Sequence, residues 1–312
     1  MPAFPRGLTN SGMTDHPSTI REVQLPQGML RFRDVGPAGA PVLVFVHGLL
    51  VSGTVWRKLV PLLSSRFRCI VPDWPMGSHS VPMNPDADLG PEGMARLVEG
   101  FLEALDLQDV TLIGNDSGGA VCQVVLARHR ARVTRLVLTT CDAFEVFPPK
   151  LFAYLKWLTA VPWLLAILGR AMLAFPALRR LPIAYGIVSK HPIDDEILAS
   201  WVRPALDAGI RRDVVKFIAG ISPAVTMQAA SELARVNVPV LLVWTPEDRS
   251  FPLSLAHRLL DTLPDARLVL VDDAFVFVAE DQPAALARAI EDFMPDLQAR
   301  ATATAHPRPA SA

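Results

Sequence analysis

The run Gly114-Asn115-Asp116-Ser117-Gly118-Gly119 constrains this chain more than any other feature. A β-type stretch precedes it (Val110, Thr111, Leu112, Ile113), and a helix-like stretch follows over residues 120–126. Strand, sharp turn and helix in that order put the apex residue on a strained backbone at the end of a strand. Only small residues fit two positions either side of such an apex, because side chains there would collide. Centred on Asp116, both flanks are glycine, Gly114 and Gly118. Centred on Ser117, the upstream flank is the bulkier Asn115. Asp116 is therefore read as the apex, in a turn of the G-x-S-x-G type that carries aspartate where serine is usual. A carboxylate there points to attack on carbon, giving an alkyl-enzyme ester. The bland alternative is a plain Asp/Gly loop; the remainder of the chain weighs against it.

Strand-like and helix-like segments alternate on both sides of this turn. Strands are expected over residues 21–25, 29–35, 41–46, 68–71, 110–113, 133–139, 238–244 and 267–272. Helices are expected over 56–63, 91–105, 120–129, 252–263 and 282–294, with Pro91 at a first-turn position. The fold class is α/β: an open, mostly parallel sheet with helices on both faces. One Pro-interrupted, helix-rich apolar segment breaks the alternation. The expected organisation is a core over 21–142, a helical lid over 143–230, a second core segment over 231–298, and disordered tails over 1–20 and 299–312.

Composition narrows the partners. The net charge is −1 and 51% of the 312 residues are apolar, so the composition calls for no basic face and nucleic acid is not an expected partner. Cys69, Cys122 and Cys141 are odd in number and set in apolar runs. They read as buried thiols in a reducing, cytoplasmic setting. Their spacing offers no metal site, and no cofactor is expected. The N-terminal residues carry no apolar signal core. Residues 151–187 are the most apolar, but Lys156, Arg170, Arg179, Arg180 and three prolines interrupt them. The longest uncharged piece, 157–169, is too short to cross a bilayer. An apolar or membrane-facing lid is expected, without a transmembrane span, over a pocket for an apolar small molecule.

The chain resembles the α/β-hydrolase superfamily, in the branch of haloalkane dehalogenases and epoxide hydrolases. Four landmarks carry the resemblance in order: Val46-His47-Gly48, the loop from Asp73 to Ser80, the turn at Asp116, and Trp244-Thr245-Pro246-Glu247-Asp248 through Pro252. It spans roughly residues 21–294. It implies the nucleophile elbow at Asp116 and an oxyanion hole from the backbone amides of Leu49 and Ser117. It also implies that His47 shapes its loop and that Asp248 orients a catalytic histidine.

That histidine is missing. In Asp273-Ala274-Phe275-Val276-Phe277-Val278-Ala279-Glu280, the residues after the usual position match and the position itself is Val276. A carboxylate needs no base to attack carbon, but hydrolysis of the ester needs one to activate water. His79 is the spare candidate, followed by His191; His129 reads as a helix-end residue. A halide site is unsupported, because Ser117 and Leu49 stand where dehalogenases of this branch carry Trp and Asn. Leu50 stands where epoxide hydrolases carry proline. Tyr154 and Tyr185, the chain's two tyrosines, fall in the lid and would serve as proton donors to an epoxide oxygen. Epoxide opening is accordingly placed ahead of dehalogenation. The competing reading is an impaired or non-hydrolytic member that holds an apolar ligand in the same pocket.

Overall fold

The computed structural model describes residues 20–304, with side chains described to residue 294. Eight strands form one sheet: β1 Ile20–Leu25, β2 Gly28–Val35, β3 Val42–Val46, β4 Arg68–Pro72, β5 Val110–Asp116, β6 Val133–Cys141, β7 Val240–Trp244 and β8 Ala266–Leu270. Their spatial order is β1-β2-β4-β3-β5-β6-β7-β8. β1, β2 and β4 pair antiparallel, and every later pairing is parallel. The central strands β3, β5, β6 and β7 are buried along nearly their whole length because helices cover both faces, and β3 and β7 are apolar throughout.

The helices are α1 Val60–Leu63, α2 Pro91–Ala104, α3 Ser117–Arg128, α4 Leu155–Leu158, α5 Pro162–Ala174, α6 Asp195–Val202, α7 Ala208–Gly220, α8 Pro223–Leu233, α9 Leu253–Thr262, α10 Val278–Asp281 and α11 Pro283–Thr304. Helices α4 to α8 lie between β6 and β7 as one insertion. The single helix expected over 56–63 is two pieces, a 3₁₀ turn at Gly53–Trp56 and then α1. Pro61, lacking an N–H, sits in the first turn of α1 and sets a fresh start there. At the C-terminal end α11 continues to Thr304, beyond the expected limit of order at 298. The remainder of both expected tails lies outside the described residues.

The turn after β5 fixes everything above it. Asp116 has φ 51° and ψ −133°, a left-handed conformation that costs a non-glycine residue about 1–3 kcal/mol. The β5–β6 register shifts between Asn115 and Asp116: Asn115 pairs with Thr139 and Asp116 with Cys141, leaving Thr140 as the extra residue on β6. A β-carbon on Gly114 would stand 2.8 Å from Cys122 Sγ, and one on Gly118 would run into the carbonyls of Val46 and His47. Gly118→Ala is thus expected to cost about 2 kcal/mol or more in chemical denaturation. Gly100→Ala, in α2 with nothing within 4 Å, is the matched control, with an effect between zero and a slight stabilisation.

Candidate active site

β5 and α3 deliver Asp116 to the carboxyl end of the parallel strands, where open α/β sheets bind ligands. The loop after β3 approaches from the other side. Leu49 N donates to Asp116 Oδ2 at 3.0 Å, and the Ser117 amide also donates to this carboxylate. A side chain at Gly48 would run into the Asp116 carboxyl, so glycine is what lets the loop come this close. The two amides named from the sequence therefore converge on Asp116. Two backbone donors there stabilise negative charge on the carboxylate.

His47 keeps that loop in shape. Its ring is fully buried, Nε2 accepts from Trp74 N at 2.9 Å, and Nδ1 donates to Gly48 O at 2.8 Å. Those partners fix a neutral tautomer, and burial pulls its pKa down to about 4.

Above Asp116 lies a cavity of about 150 Å³. Leu49, Asp116 and Ser117 form its floor; Phe152, Leu155, Leu158, Leu165, Met172, Tyr185, Trp201 and Phe277 are among its walls. The insertion supplies most of these walls, and they are apolar, as the sequence led one to expect. Trp201 is the one wall residue with a side-chain N–H, and it donates to Thr54 Oγ1 at 2.7 Å. Ser117 Oγ donates to Asp142 Oδ2 at 3.0 Å.

Val276 is buried, and its backbone is tied to the elbow. Asn115 Nδ2 donates to Val276 O at 2.8 Å and also to Thr139 O and Thr140 O, each at 3.2 Å. The Val276 amide in turn donates to Asp248. Asp248 Oδ1 accepts from Ser250 N at 2.8 Å and Phe251 N at 2.6 Å. Its Oδ2 is buried and has no partner.

His79 is elsewhere. It is buried, with Nε2 3.2 Å from Asp213 Oδ2, in a cluster where Met83 N and Arg212 also bind Asp213. It does not line the cavity over Asp116. His191 pairs with Asp273 and His129 with Glu99, so among the described residues no histidine reaches the cavity. His16 and His306 lie outside the described residues. Tyr154 and Tyr185 do line it, but their hydroxyls donate to Ile183 O and, at 2.7 Å, to Leu50 O.

Asp142, at the end of β6, was not among the residues singled out. It is fully buried, with Oδ1 lacking a partner. Burial, with the nearby charge of Asp116, pushes it well above the usual carboxylate range. The available signal was an acid placed directly after a parallel strand. Burial also raises Asp116 to about 6, opposed by the Ser117 and Leu49 amides and aided by the charge of Asp248. Burial lifts Asp248 to about 6 as well. Three carboxyl groups thus lie at the elbow, Asp116 lining the cavity, and among the described residues none of them is paired with a cationic side chain. Attack on carbon requires ionised Asp116, so its alkylation rate is expected to rise with pH through about 6 and level off above about 7. Adduct formation timed across that range checks this.

The α/β hydrolase fold family matches residues 41–283. The cis-3-alkyl-4-alkyloxetan-2-one decarboxylase of Xanthomonas campestris pv. campestris is 29% identical over 286 residues, covering 85% of this chain and 92% of that protein. Haloalkane dehalogenase 2 of Mycobacterium tuberculosis is 27% identical over 281 residues, covering 88% and 94%. An α/β hydrolase fold protein from Burkholderia ambifaria superposes with a TM-score of 0.74 at 23% identity, covering 87% and 97%, a likeness of fold. These two relatives are named for a decarboxylase and a dehalogenase activity, so the expectation that places epoxides first gains nothing from them. With most of its length matched, the chain belongs to the α/β-hydrolase fold family.

Proposed function

We propose that the protein acts on a small apolar electrophile through Asp116, whose carboxylate attacks carbon and forms an ester. The observation that carries this reading is the pair of backbone amides, Leu49 and Ser117, holding the Asp116 carboxylate beneath an apolar cavity. The mycobacterial relative, named as a dehalogenase, supports the same class of substrate. The ester would then wait for water, since valine at 276 supplies no base. Loss of a positioned base slows such a step by roughly a hundred- to ten-thousand-fold.

Val276 favours a second reading, in which the ester is resolved without water. A β-lactone, the substrate type in the name of the Xanthomonas relative, permits this. Asp116 would attack the ring carbon that bears oxygen, breaking that C–O bond and freeing a carboxylate. The bond from that carboxylate to the neighbouring carbon then breaks, carbon dioxide leaves, and the electron pair forms the alkene as Asp116 departs intact. No water is consumed and no base is used.

Product analysis on alkyl halide, epoxide and β-lactone substrates tests both. The first reading expects about one equivalent of halide or opened epoxide per protein in a rapid phase, then slow release. The second expects continuing alkene and carbon dioxide from the lactone. Unchanged product formation by Asp116→Asn would overturn both.

A further inference from the structure

We propose that the insertion carries a docking surface for an anionic phospholipid membrane, and that the cavity opens onto it. This is independent of which bond Asp116 attacks. Trp157 in α4 is 82% exposed, and Trp163 in α5 is 62% exposed. Phe175, Ile167 and Ile183, in the same acid-free stretch of the insertion, are exposed too. Large apolar side chains standing in water in such number mark a contact surface.

Charge selects the occupant. Residues 146–193 contain no aspartate or glutamate, while Lys150, Lys156, Arg170, Arg179, Arg180 and Lys190 all fall within them. Arg180 and Lys190 pair with acids outside that stretch, and Arg179 is buried. Lys150, Lys156 and Arg170 are exposed and have no acidic partner among the described residues; Lys156 Nζ donates to Ile221 O at 2.6 Å. Indole rings flanked by lysine and arginine suit the headgroup region of a bilayer with negative lipids.

The geometry is that of a surface, not a span. No single helix among the described residues is long and apolar enough to cross a membrane. The segments Lys150–Leu158 and Pro162–Ala174 meet at a bend of 117°. Helix α5, with 13 residues, is about 20 Å long against a hydrocarbon core of about 30 Å. Tyr154, Leu168 and Ile183 line the cavity and are also exposed, so its mouth lies among these side chains. An apolar substrate dissolved in lipid would enter from the membrane side.

The indoles give a direct readout. Trp56, Trp74, Trp201 and Trp244 are fully buried, so Trp157 and Trp163 are the two that a change of solvent reaches. The full chain is mixed with phosphatidylcholine vesicles containing about one third phosphatidylglycerol, and emission and co-sedimentation are followed. The expected result is a blue shift with co-sedimentation, weakened by salt and weaker on phosphatidylcholine alone. Trp157→Ser combined with Trp163→Ser should bind at least about tenfold more weakly with an unchanged melting temperature, since neither residue lines the cavity. Absence of a blue shift, or equal vesicle binding by the double variant, overturns the proposal. So does a dimer of the parent that the double variant dissociates, if vesicles leave the emission unchanged.

Discussion

Val276→His is expected to raise hydrolysis of the Asp116 ester by about a hundred- to ten-thousand-fold, the usual worth of a positioned general base. The surroundings for that histidine are in place. The backbone at 276 is pinned to the elbow through Asn115 and to Asp248 through its own amide. Asp248 Oδ2 is buried with no donor, and an imidazole Nδ1–H is the donor it lacks. Valine satisfies the packing and leaves that oxygen orphaned. Histidine is larger than valine, so overpacking is expected to cost about 1–3 kcal/mol. A melting curve read beside the kinetics separates that cost from the chemistry. An imidazolium would also set a positive charge near Asp116 and Asp248, moving the pH midpoint of alkylation below about 6. A folded Val276→His protein with no gain in turnover would mean that the imidazole does not reach the ester.

Asp116→Asn is expected to abolish covalent capture of any electrophile and at the same time to stabilise the fold. The amide keeps the shape and removes both the nucleophile and a charge that burial disfavours. The stability effect has a definite pH sign. Asp116 titrates near about 6 in the folded chain and near about 4 unfolded. Between those values the folded state holds the extra proton, so its contribution to stability falls as pH rises from about 4 to about 6. The asparagine variant escapes that fall. Its advantage should therefore be small near pH 4 and grow to on the order of 2 kcal/mol above pH 6, a rise of a few degrees in Tm. Melting curves of both proteins across this range check it. A variant destabilised at every pH would show that the Asp116 carboxylate is a structural tie and not a strained functional group.

Features set by local pattern were legible in the chain. Alternating apolar runs gave the parallel strands, and the glycines around Asp116 gave the turn, because steric fit two residues away is written in the sequence itself. The Leu49 amide was legible only through the family resemblance, which implied it from Val46-His47-Gly48. Partners far apart in sequence were not. His79 stood in a loop at the correct edge of the sheet, yet Asp213, 134 residues later, holds its ring. Nothing near His79 announces that pairing. The tyrosine hydroxyls are spent on backbone carbonyls of the insertion and its neighbour loop, contacts that composition does not reveal. Asp142 was visible as an acid after a strand, but its importance rests on burial and on the hydroxyl of Ser117. Cys122 and Cys141 were read as buried thiols; that they pack against Gly114 and Gly119 emerged only with the fold.

Intact-protein mass spectrometry after incubation with alkyl halides and epoxides tests the central claim most directly. The account expects the parent chain to gain one alkyl group in place of a proton from a halide, or the whole mass of one epoxide as a hydroxyalkyl ester, on the peptide that contains Asp116, while Asp116→Asn gains none. Val276→His should form the same adduct and then lose it. An adduct that persists in Asp116→Asn, or steady hydrolysis by that variant, would contradict the assignment of Asp116 as the nucleophile.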